Sequence, residues 1–196
     1  MKILSSFKFK IISSILLSYV STATLCFAAT LDGVTLPDTA QVGKTQLTLN
    51  GMGTRKATFF KVKVYVAGLY LETQSQNPQE ILDSKKTKKL VMSFVHDVPA
   101  SKLSDTWKES FESHCKPDCE AMKPSLQKLS SMMQEMKTGD KMQFTFLPQG
   151  LEVHVKGEPP QKIESAQFQR FLLSIWLGSN PPNEDLKKGL LGLLPR

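Results

Sequence analysis

Histidine and cysteine are scarce in this chain, and their scarcity narrows the chemistry open to it. His96, His114 and His154 are scattered, with no spacing that would gather them around a metal. His154 alternates with Leu151, Val153 and Val155 and so faces away from them. There is no GxSxG, no HExxH, no P-loop, and no GxGxxG between a strand and a helix. No pair of carboxylates stands out for acid–base work. No metal and no cofactor is therefore expected. Internal repeats and low-complexity segments are missing as well. Lys85 to Lys89 is the sole basic run, and it lacks interleaved aromatics. It reads as a solvated loop, and no nucleic-acid partner is expected.

The amino-terminal residues have an export pattern. Lys2, Lys8 and Lys10 precede an apolar stretch, Ile11 to Phe27, that is broken by serines. Cys26-Phe27-Ala28 places small residues at the two positions that matter for cleavage. The expectation is a secretory signal peptide over residues 1–28, cut after Ala28 with Ala29 as the alternative, and a periplasmic protein. No membrane span is expected after cleavage. The formal charge of +7 then falls to +4. Residues 29–196 suit one domain with a full-sized core.

Cys115 and Cys119 survive that cleavage. In an oxidising compartment a disulfide is the first reading, pinning a tight loop between two helices. Metal binding with His114 lacks further ligands, and CxxxC is not the redox spacing CxxC.

Hydrophobic periodicity orders the rest. Thr45 to Leu49 alternates as a strand. Phe59 to Leu71 is rich in β-branched and aromatic residues, with Phe60, Val62, Val64 and Val66 on one face and Phe59, Lys61, Lys63 and Tyr65 on the other. Beyond Tyr65 both faces turn apolar, as in a strand covered on both sides. Gly68 marks a close approach to the backbone. Asn77 to Leu82 reads as a short helix and Lys89 to Val98 as a strand. Ser101 is expected to cap a helix carrying Leu103, Trp107 and Phe111. Pro124 is expected to open another, with Leu126, Leu129, Met132, Met133 and Met136 inward and Gly139 ending it. Met142 to Val155 folds back as a hairpin about Pro148-Gln149-Gly150. Ser165 caps a helix with Phe168, Phe171, Leu172 and Ile175, stopped by Gly178; Asn183 caps a last one. This order predicts an α+β fold, an antiparallel sheet with helices on one face.

One residue invites a chemical reading. In Gly51-Met52-Gly53-Thr54-Arg55 the glycines read as a bend, after which Arg55 points back across the sheet. An enclosed guanidinium needs a partner, and its planar fork favours a carboxylate or an enolate-like oxygen. An internal ion pair would satisfy it equally.

That segment, with Lys63-Val64-Tyr65-Val66-Ala67-Gly68-Leu69-Tyr70-Leu71-Glu72, resembles the opening of the chalcone isomerase fold. Ile175-Trp176-Leu177-Gly178 and Asp185-Leu186-Lys187-Lys188-Gly189-Leu190-Leu191-Gly192 resemble the end of its secreted bacterial branch, the chalcone isomerase-like proteins. The resemblance implies an open-faced sandwich with a ligand cleft between sheet and helices. In the plant enzymes an Arg at the position of Arg55 polarises substrate oxygens during an intramolecular ring closure; in the fatty-acid-binding members it meets the lipid carboxylate.

The other active-site positions depart from the plant pattern. Tyr65 stands where those enzymes have a threonine, Leu103 where they have a tyrosine, and Ser110 where they have an asparagine. Ser174 matches a hydroxyl that contacts the flavonoid. The resemblance thus implies a ligand site of Arg55, Tyr65, Leu103, Ser110 and Ser174, with Arg55 as the catalytic candidate. An apolar Leu103 makes the cleft greasier, which suits a small amphipathic or carboxylate ligand such as a fatty acid. The expectation is a binding protein; an isomerase acting on an unsaturated ketone, and a structural or interaction protein of the envelope, are the alternatives.

Overall fold

Every residue from Tyr65 to Leu71 is buried, so strand β5 (Val62–Leu71) must lie inside a sheet covered on both faces. The computed structural model describes residues 28–57, 61–115 and 119–195. It places β5 third in an antiparallel sheet of seven strands, adjacent in chain order: β3 (Thr39–Val42), β4 (Thr45–Ala57), β5, β6 (Lys88–Phe94), β7 (Lys141–Leu147), β8 (Gly150–Val155) and β9 (Gln161–Ile163). One face carries the helices α1 (Pro78–Asp83), α2 (Ala100–His114), α3 (Cys119–Ser131), α4 (Ala166–Leu177) and α5 (Glu184–Leu190). The other is covered over β4, β5 and β6 by a hairpin of β1 (Ala28–Leu31) and β2 (Val34–Pro37). This is the α+β arrangement the element order predicts and the open-faced sandwich the resemblance implies. Leu36 of β2 accounts for Gly68, because a Cβ there would collide with Leu36 Cδ1.

Local signals place several elements well. Asn77 accepts from the backbone N–H groups of Gln79 and Glu80 and starts α1; Ser165 accepts from Phe168 N and starts α4. The alternation from Met142 to Val155 becomes the β7–β8 hairpin, with Phe144 opposite Val153.

Other boundaries differ, each for a physical reason. Ser101 does not cap α2; Pro99 holds that position, and its carbonyl accepts from Leu103 N at 3.2 Å. Pro124 lies inside α3, which begins at Cys119 where the chain is tied to Cys115, the residue closing α2. α3 also ends at Ser131. Met132, Met133 and Met136 are buried from the segment beyond it, where Met136 bridges Val98. The lysine run is not uniformly solvated: Lys88 is buried, and its ammonium donates to Ser84 O and Lys86 O.

The face assignment along β5 also changes at its first half. Arg55 pairs with Tyr65 but Lys56 pairs with Lys63, so Val64 is an extra residue in a β-bulge. The bulge sends Lys63 to Asp32 on the hairpin side and Tyr65 to the helix side. Val64 faces the helices and Val66 the hairpin. Phe59 and Phe60 lie outside the described residues.

Candidate ligand-binding cleft

Gly51 and Gly53 do not form a bend. Both are extended residues of β4, paired with Leu69 and Ala67 of β5. What they supply is space. A Cβ on Gly53 would stand 2.5 Å from Leu186 O, and one on Gly51 2.9 Å from Leu190 O. From the other side, a Cβ on Gly189 would stand 2.9 Å from Gly53 Cα. The backbone of α5 therefore rests on the backbone of β4. The fully buried side chains of Leu186 and Leu190 hold it there, each contributing about 1.5–3 kcal/mol.

Two asparagines fasten the ends of this contact. Asn50, buried at a second β4 bulge, donates from Nδ2 to Leu190 O and to Ser75 O, both at 2.9 Å. Asn183 stands at the N-cap of α5, yet its side chain makes no capping bond. Instead its Oδ1 accepts from Lys56 N at 2.9 Å and its Nδ2 donates to Lys56 O at 3.2 Å. The side chain thus pairs with the strand as a third backbone would.

Arg55 follows Gly53 on the same face, just past the start of α5. It is half-buried. Its Nη1 donates to Asn183 Oδ1 at 3.2 Å and to Lys56 O. Both acceptors are neutral, and among the described residues no carboxylate pairs with Arg55. The guanidinium is oriented without being neutralised.

Tyr65 stands directly opposite Arg55 in the ladder, and Phe94 directly opposite Tyr65. Trp176 of α4 donates from Nε1 to Tyr65 Oη at 3.0 Å in a buried setting. The phenol oxygen is thereby used as an acceptor, which leaves its proton for an acceptor in the cleft. Burial pushes the Tyr65 phenol above its ordinary range, against the smaller opposing effects of the Trp176 hydrogen bond and the Arg55 charge. The group is a hydrogen-bond donor at neutral pH, not a base.

These residues meet in a cleft of about 530 Å³ between the sheet, α2 and the segment after α4. Its walls are mainly apolar, with Val64, Met92, Phe94, Leu103, Trp107 and Ile175 among them. Ser110 joins the lining from the outer half of α2. Four of the five expected site residues (Arg55, Tyr65, Leu103 and Ser110) are therefore brought together. Ser174 is not: its Oγ donates to Phe171 O at 2.6 Å, and the next two residues, Ile175 and Trp176, face the cleft instead.

The outer end of the cleft is tied by His114. Nδ1 lies 2.9 Å from Ser110 O, and Nε2 lies 2.7 Å from Asn180 O, which joins the end of α2 to the segment leading into α5. Cys115, the next residue, is joined to Cys119 with the Cα atoms 5.4 Å apart. Among the described residues no group of three or more His, Cys, Asp or Glu side chains is arranged to hold a metal. No described helix is long and apolar enough to cross a membrane.

Sequence reasoning passes over Asn50, the strand-pairing role of Asn183, and the indole N–H of Trp176. A signal for α5 was present: Gly189 sits in a helical pattern, where glycine is unfavourable without a packing reason.

A cation on the strand beside a close-packed terminal helix, at the end of an oily cleft under an antiparallel sheet, marks an open-faced sandwich with a cleft between sheet and helices. The sequence profile of the chalcone isomerase-like family matches residues 28–192, and the chain belongs to that family. Among solved structures, the fold is similar to that of a fatty-acid binding protein of Arabidopsis thaliana, with a TM-score of 0.71 over 84% of this chain and 96% of the plant chain, at 15% identity. No curated protein sequence matches the chain.

Proposed function

We propose that this protein binds a fatty acid or a similar small amphipathic acid without catalysing its conversion, after export to the periplasm through cleavage behind residue 28. The carboxylate is held by the free N–H groups of Arg55 and by the Tyr65 hydroxyl, and the hydrocarbon chain occupies the cleft beside Phe94, Leu103 and Trp107. The observation that carries this reading is the set of neutral partners around Arg55: a half-buried cation with no carboxylate partner among the described residues, at one end of a mainly apolar space. Charge-assisted hydrogen bonds to a carboxylate are among the stronger ones available. The fatty-acid binding of the structural neighbour is in keeping with it.

An isomerase would need a group to take or relay a proton. Tyr65 stands directly opposite Arg55, and its raised pKa keeps it protonated.

Native mass spectrometry and lipid extraction of protein purified from its own compartment test the reading. An acid is expected to co-purify with the wild type and to be lost from Arg55→Ala. Absence of any acid from the wild type, or equal retention by Arg55→Ala, overturns it.

A further inference from the structure

The lining of the cleft reaches the ends of β4 and β5 that residues 58–61 join. Ala57 and Val64 belong to the cleft lining, and Val62 stands directly opposite Ala57. Val62 is 39% exposed, one of few large apolar side chains so displayed among the described residues. On the opposite face of the same two strands Lys56 stands across from Lys63, and the exposed Lys61 immediately precedes β5. Directly opposed like charges are destabilising in a ladder. Asp32 relieves one of them: its Oδ1 lies 2.5 Å from Lys63 Nζ, while Thr54 donates to its Oδ2 at 2.6 Å. Lys56 lies in the field of the same Asp32, but neither it nor Lys61 forms a close ion pair among the described residues, so three lysines share one carboxylate. The described strand residues flanking this end, Ala57 and Val62 on the cleft side and Lys56 and Lys63 on the other, are thus apolar toward the cleft and cationic away from it.

We propose that Lys56, Lys61, Val62 and Lys63 form a docking surface for an anionic phospholipid bilayer, set at the mouth of the cleft. Lysine ammonium groups meet lipid phosphates, and Val62 and Ala57 enter the interface. An acyl chain leaving the bilayer then passes Ala57 and Val64 toward Tyr65 and Phe94. Charge complementarity selects the occupant: an apolar rim alone would suit many partners, but a rim backed by three lysines that share one carboxylate suits a surface that offers both hydrocarbon and phosphate. Glu184 and Asp185 open α5 beside Asn183, so the cationic strip is narrow and the attachment weak and reversible.

The larger lysine cluster does not serve this purpose. Lys85 and Lys86 lie at the start of β6, whereas the cleft lies at its other end, about 20 Å away along the strand.

Vesicle co-sedimentation of the ligand-free mature protein tests the proposal, so failure here leaves the capture of an acid by Arg55 standing. Binding is expected to vesicles of phosphatidylglycerol and phosphatidylcholine, to weaken as salt is raised, and to be lost on phosphatidylcholine alone. Lys56→Gln with Lys61→Gln is expected to weaken it about 25-fold, at about fivefold per lysine. Val62→Ser is expected to weaken it without altering the salt dependence. Lys85→Gln with Lys86→Gln is expected to leave it unchanged. Equal binding to neutral vesicles, or loss in the Lys85/Lys86 pair but not in the Lys56/Lys61 pair, overturns the proposal. So does a dimer that the Lys56/Lys61 pair dissolves in a protein that ignores vesicles.

Discussion

Gly53 and Leu186 touch through their main chains, and this contact sets where the guanidinium of Arg55 sits. Replacing Gly53 by Ala puts a methyl group 2.5 Å from Leu186 O, where no flexible side chain can yield. Helix α5 must lift. Overpacking of this kind costs about 1–3 kcal/mol. Gly53→Ala is expected to lower Tm by several degrees and to weaken acid binding as well, because Asn183 moves with the helix. Thermal melts with and without ligand check both; an unchanged Tm would mean that the helix does not rest on the strand.

Asn183 offers a sharper separation of stability from binding. In Asn183→Asp a carboxylate replaces the neutral oxygen that now accepts from Arg55 and from Lys56 N. The fold keeps that acceptor, but the guanidinium gains an internal partner. Acid affinity is expected to fall about tenfold or more, with a much smaller change in stability. Fluorescent fatty-acid displacement and urea denaturation measure the two separately. Undiminished affinity would show that the charge of Arg55 does not attract the ligand.

Alkaline pH should unfold the protein through its buried phenols. Burial raises Tyr70 from 10.0 to about 12, with a smaller contribution from Asp38, while its hydroxyl donates to Pro37 O. Below pH 10 both folded and unfolded chains hold this proton. Between pH 10 and 12 the unfolded chain releases it first, so stability falls as pH rises through that window. Lys88 and Lys89 act in the opposite sense, since burial lowers their pKa values and the unfolded chain holds their protons longer. Tyr70→Phe isolates the phenol. Its urea midpoint is expected to decline less between pH 9 and pH 11 than that of the wild type.

The Cys115–Cys119 bond closes a very short loop, so its effect on the unfolded chain is limited to about 2 kcal/mol. Reduction is expected to lower the urea midpoint correspondingly, and mass determination before and after reductant reports whether the bond was present. Since α2 supplies Leu103, Trp107 and Ser110 to the cleft, acid affinity is expected to fall modestly on reduction.

The sequence made the hairpins and two helix starts legible because their causes are local. Asn77 and Ser165 cap by reaching only two or three residues, and Phe144 faces Val153 across one turn. The setting of Arg55 was legible only as a position. Glycine at 51 and 53 looks like conformational freedom, but neither residue has a positive φ; the need for glycine comes from a helix more than a hundred residues later. Asn183 misleads in the same way. Its type and place fit a cap, and its side chain serves a strand. The bulge at Val64, which separates Lys63 from Tyr65, has no composition signal and follows from how β4 and β5 must twist past each other. Ser174 matched by alignment, but the helix turns it toward its own backbone.

The arginine arrives early in synthesis and its asparagine bracket arrives almost last. A nascent chain halted before residue 183 would own the cation and its bond to Lys56 O but not the Asn183 acceptor, with two glycines whose strand backbone no helix yet covers. Completion of the Arg55 setting therefore waits for the residues that lead into α5, the last of the described helices.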